Sequence, residues 1–164
     1  MSVSFFTPKR QLSALLRAPG GLPVEEAIAK ATANLGELAG ACVAEVGQSI
    51  DKAEACMAKS PPTYDEGFLM ELYGLVSPPI GVASVCGLGA IDVALHSLCD
   101  LIDHLHTTGR WDVEALQVHV QALKLLLHTE SAQNAEQTEA VLSGLRQVSQ
   151  RYAAPTKPDA TPAA

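Results

Sequence analysis

The sequence predicts an all-α fold, an antiparallel bundle of about five helices, and three observations carry that prediction. Apolar residues recur at steps of three and four over long stretches, the period of one helix face. No stretch alternates apolar and polar residues as a half-buried strand does. The connections between the periodic stretches are short and hold Pro or Gly, which suits neighbouring antiparallel helices. Composition agrees. Of 164 residues, 48% are hydrophobic but only 4% aromatic, so the apolar bulk is Ala, Leu and Val.

Residues 1–23 read as an arm punctuated by Pro8, Pro19, Gly20, Gly21 and Pro23, in which Leu12, Leu15 and Leu16 form one apolar turn able to dock on the body. The first helix is expected from about Val24 to Lys59. Its stripe is Ile28, Ala31, Leu35, Leu38, Cys42, Val46, Ile50, Ala53 and Met57. Glu25 and Glu26 suit the positive helix start, Lys59 suits its end, and Pro61-Pro62 stops it. At roughly 36 residues it would span about 54 Å, longer than a compact bundle of this size needs. The second segment is about Asp65 to Val76, and Ser77 is expected to cap a new turn with Pro78 at its first position. The third runs from about Ala90 to His106, closed by Thr107-Thr108-Gly109. The fourth opens on Asp112 as N-cap and runs to about His128. The fifth is about Asn134 to Tyr152. The Pro- and Ala-rich tail, 153–164, carries no core residues and is expected to be disordered. One helical domain, 24–152, lies between arm and tail.

Charge and cysteine usage exclude several classes. Eighteen acidic residues against 11 basic ones give a net charge of −7, which disfavours a nucleic-acid partner. No stretch reaches the roughly 18 apolar residues of a membrane helix, and the N-terminus lacks the order of features of a signal peptide. Cys42, Cys56, Cys86 and Cys99 are scattered without a C-x-x-C pair, so they read as reduced, buried thiols of a cytoplasmic protein.

Three stretches bear on chemistry. Asp92, His96, Asp100, Asp103 and His104 fall within about 120° on one helix face, the weak candidates for a metal site. No Glu stands three residues before any histidine, so the usual dinuclear bundle motif is missing, and the plain reading is a solvated acidic face. His119 and His128, with Lys124 near, offer a general base, but no nucleophile pairs with either at a recognisable spacing; surface or half-buried roles are expected. Gly81, Gly87 and Gly89 in IGVASVCGLGA match neither a Walker loop nor a dinucleotide fingerprint, so no cofactor is expected and a tight helix–helix corner is.

That corner, followed by a helix of type L-x-x-L-C-D-L, resembles the centre of a histidine-phosphotransfer domain, the helical bundle of two-component signalling. The family motif is roughly His-x-x-Lys-Gly-x-small-small-x-Phe-Gly. Its glycines fall on Gly81 and Gly87, and its small positions on Ala83 and Ser84. The segment VHVQALKLLL resembles the next helix of small bacterial relatives, and the similarity covers about residues 65–150. The phosphorylatable His position is Ser77, the assisting Lys position is Ile80, the Phe position is Cys86, and Pro78-Pro79 stands where the family helix is continuous. The resemblance therefore implies a four-helix phosphotransfer-like core with a long first helix and without the relay chemistry. It would bind a receiver domain or a histidine kinase through Val76, Ser77, Ile80, Gly81 and Ser84. Two other readings stand beside it: a structural protein that forms a homodimer through residues 24–59, and a metal protein built on the 92–104 stripe.

Overall fold

The structure is a computed structural model, and it describes residues 20–129 and 135–153. Every element among them is helical: α1 (Val24–Met57), α2 (Glu66–Val76), α3 (Val82–Val85), α4 (Gly89–Thr108), α5 (Val113–Thr129) and α6 (Ala135–Gln150). The sixth helix, beyond the five expected, is the single turn α3 inside the glycine corner. Packing divides the chain into two units at Gly36–Glu37, inside the continuous helix α1. The predicted turn at 12–16 and the tail beyond 153 lie outside the described residues.

In the first unit, α1 opens after Pro23, whose carbonyl accepts from the Ala27 amide at 2.9 Å. Glu26 pairs with Lys30 one turn on at 2.9 Å. Every described residue up to Gly36 is exposed.

In the second unit, α1 changes character. Val46, Ile50, Ala53, Cys56 and Met57 are buried, the same stripe the sequence shows. The helix stops two residues early, at Met57. The Lys59 and Ser60 amides close the last turn on Cys56 and Met57, ahead of Pro61-Pro62. Asp65 caps α2, its Oδ1 accepting from the Phe68 amide at 2.9 Å. Asp112 does the same for α5 toward Ala115, as its position predicts. Gly109, at φ +64°, ends α4 in the left-handed conformation that glycine tolerates best.

The core centres on α4, which packs against α2, α3, α5 and α6. Ile91, Leu95, Leu98, Leu101, Ile102 and Leu105 are wholly buried, and each contributes roughly 1.5–3 kcal/mol of apolar burial. From α2 come Leu69 and Leu72, from α5 Leu116, Leu123 and Leu126, and from α6 Leu142 and Leu145. Glu54 of α1 forms an ion pair with Lys124 of α5. Trp111, in the α4–α5 connection, takes Phe68 and Tyr64 edge-on at 5.7 and 6.4 Å between ring centres, and so holds that connection against α2.

Candidate functional site

The α2–α3 corner is built differently from the sequence expectation. Ser77 does not start a new helix. It is the C-cap of α2, in right-handed helical conformation, and its amide donates to the Tyr73 carbonyl at 2.9 Å. Pro78 and Pro79 have no N–H to continue the ladder, so the chain turns, and the Ile80 amide closes on the Ser77 carbonyl at 3.2 Å. Gly81 then sits at φ +80°, where a side chain would be strained, and its amide donates to Asp92 Oδ1 at 2.6 Å. Asp92, half-buried, so links the corner to the first turn of α4.

This geometry sorts the five proposed docking residues. Val76 is wholly buried and cannot meet a partner, a correction that follows from its place on the inward face of α2 beside Leu72. Ile80 is half-buried against the core. Ser77 is half-buried, while Gly81 and Ser84 are exposed. The corner's accessible apolar groups are instead Val82 and Val85, the latter 64% exposed. Sequence reasoning passed over these two because a one-turn helix is too short to show a face.

The 92–104 stripe is likewise divided. His96, Asp100 and His104 line a groove of about 290 Å³ between α4 and α6, opposite Arg146 and Gln150. Asp103 lines a second groove of about 410 Å³, shared by Asp100 and His106 of α4 with Met70 and Tyr73 of α2. Among the described residues, no three His, Cys, Asp or Glu side chains gather as a metal site would require.

Beneath the first groove lies a polar cluster that the sequence did not reveal. His119 is wholly buried, not at or near the surface as expected. Its Nδ1 stands 2.9 Å from the Ala115 carbonyl, which fixes the proton on Nδ1 and leaves Nε2 as an acceptor. Ser97 Oγ and Ser149 Oγ lie 3.1 and 3.2 Å from Nε2 and 3.0 Å from each other. Ser149 donates to the Ser97 carbonyl at 3.0 Å, which leaves the Ser97 hydroxyl to donate to Nε2. Every proton of the cluster is used within it, so it ties α4, α5 and α6 together as a satisfied network. A signal existed: each of the three polar residues occupies a three- or four-residue step among buried apolar ones, as in Leu116–His119–Leu123 and Leu145–Ser149.

Burial pushes the His119 imidazole below its ordinary value, against the opposing pull of the Ala115 and Leu145 carbonyls. The sign of the linkage follows. The unfolded chain takes up this proton near pH 6.5, and the folded chain only at lower pH. The stabilising contribution is complete above about pH 6.5 and is lost as pH falls from there toward the folded value. Urea melts of the wild type and His119→Gln between pH 7.5 and 5.5 check this. The wild type should lose stability relative to the variant by at most about 1.4 kcal/mol per pH unit, the limit for one proton. A stability difference that does not change with pH would rule it out.

No family model matches the sequence, and no curated protein and no solved structure matches it either. No helix among the described residues is long and apolar enough to cross a membrane.

Proposed function

We propose that this chain is an interaction protein that pairs with a second copy of itself through α1. One observation supports the reading above the rest. Val24, Ile28, Leu35 and Leu38 are 75, 60, 51 and 58% exposed, and with Ala31 and Cys42 they are spaced four, three, four, three and four residues apart. That is the 3.5-residue repeat of a coiled-coil seam, and uncovered apolar rows of this length mark interaction surfaces. The residues flanking the row are mostly small, including Ala27, Thr32, Gly36, Ala39 and Ala41, which lets a partner helix come close. A second copy supplies the same row and closes a two-fold dimer. Sedimentation of the full chain across the micromolar range tests this: a dimer supports it, and a monomer at every concentration removes it.

A second reading keeps the histidine-phosphotransfer resemblance. In it, the corner docks a receiver domain or histidine kinase without carrying phosphate, through Ser77, Gly81, Ser84 and the exposed Val82 and Val85. The exposed valines favour it, since apolar anchors beside small polar residues suit a docking patch. Phosphate relay through Ser77 is disfavoured, because its ester does not hand the group on as a phosphoramidate does. Under this reading Val85→Asp abolishes capture of a purified receiver domain by the wild-type chain. Equal capture by both proteins, or by neither, counts against it.

A further inference from the structure

No nucleophile stands near His119 in sequence, but one meets it in the fold. Ser97 Oγ of α4 lies 3.1 Å from His119 Nε2 of α5. The Ala115 carbonyl, 2.9 Å from Nδ1, orients the imidazole and leaves Nε2 free to accept a proton. Ser149 spends its own proton on the Ser97 carbonyl, so the Ser97 hydroxyl is the one that points at Nε2. A nucleophile, a base in hydrogen-bond reach and a third group that orients the base are the working parts of a serine nucleophile. Burial lowers the proton affinity of His119, which keeps the ring neutral at pH 7 and able to act as a base. Ser97 is not sealed in with it. It is 7% exposed, and with Ser149 it lines the groove of about 290 Å³ between α4 and α6. The same groove carries the N–H donors of Arg146 and Gln150, the groups a developing oxyanion needs nearby.

We propose that Ser97 is a nucleophile with His119 as its general base, and that the groove above them takes small carboxylic esters. Ser97 Oγ attacks the ester carbonyl carbon as its proton passes to His119 Nε2. The new Oγ–C bond forms, the ester C–O bond breaks, and the leaving alkoxide takes the proton from Nε2 to depart as the alcohol. Water then attacks the acyl carbon and gives one proton to Nε2. The Oγ–C bond breaks, the proton returns from Nε2 to Ser97 Oγ, and the carboxylic acid leaves and ionises in water. The small groove limits the substrate to a short acyl group and a compact alcohol.

The full wild-type chain carries the test. It is incubated with a small alkyl fluorophosphonate, whose P–F bond breaks as the Oγ–P bond forms, releasing fluoride and the serine proton. The expected result is one adduct per chain, mapped by peptide mass to Ser97, and loss of 4-nitrophenyl acetate hydrolysis in the labelled protein. Ser97→Ala should take no adduct, and Ser149→Ala, which spares the Ser97–His119 pair, should still take it. His119→Gln should slow labelling about 100-fold or more, the usual worth of a general base. If that variant does not fold, as judged by its far-ultraviolet circular dichroism, the wild type unfolded in urea takes its place, and its labelling should fall as far. An unlabelled wild type, an adduct on any residue other than Ser97, ester hydrolysis that survives labelling, or equal labelling rates in the folded and urea-unfolded chain would each overturn the proposal.

Discussion

Leu98→Ala is expected to destabilise the domain by about 2–5 kcal/mol, the cost of a wholly buried leucine replaced in a packed interior. The reason is the place of α4. Four other helices pack on it, and its buried residues spread from Ile91 and Leu98 on one side to Ser97 and Cys99 on the flanks. A cavity at its centre has neighbours on every side and little room to collapse. A domain of this size is held by only about 5–15 kcal/mol, so the loss is a large share of the whole. Val93→Ala on the same helix is the matched control, because that side chain is exposed and its truncation should stay within about 0.5 kcal/mol. Urea melts of the two variants beside the wild type measure both. Equal losses would show that α4 does not bury the face described.

The double variant Leu35→Glu/Leu38→Glu is expected to turn a dimer into a monomer while leaving the bundle's melting unchanged. Both side chains are more than half exposed, so the folded chain loses little when they become charged. In a two-fold dimer the same change removes four buried leucines and sets like charges against each other. At about 1.5–3 kcal/mol per leucine, self-association should weaken by at least about 100-fold. Sedimentation of wild type and variant reads this directly. The rival occupant of the row is the chain's own Leu12, Leu15 and Leu16, and deletion of residues 1–19 separates the two. A dimer that survives the deletion supports self-pairing; one that appears only after it shows the arm to be the native cover.

The helical stripes were legible because burial follows local period. Ile91, Leu95, Leu98, Ile102 and Leu105 repeat at three and four residues, and those residues are the wall of the core. The caps at Asp65 and Asp112 were legible for the same reason, since a cap acts over three residues. The corner was less so. Two prolines announced a break, but only the folded backbone shows that Ser77 closes α2 with its amide on the Tyr73 carbonyl, and that Asp92, eleven residues beyond Gly81, accepts from the Gly81 amide. The site candidates fared least well. Val76 looked like part of a docking patch, and only the packing of α2 shows it to be interior.

By itself the sequence determined the fold class, the helix bounds to within a few residues and the long apolar row of α1, because each follows from the spacing of residues along one helix. The tertiary structure alone decided which part of that row is covered. Within the second unit Val46, Ile50 and Ala53 are buried whereas Leu38 stands open, and within the first Ile28 and Leu35 are exposed. It alone decided that His119 meets Ser97 and Ser149. Those encounters join residues 22 and 30 positions apart on different helices. Periodicity within a helix says which face turns inward, but not what it meets there.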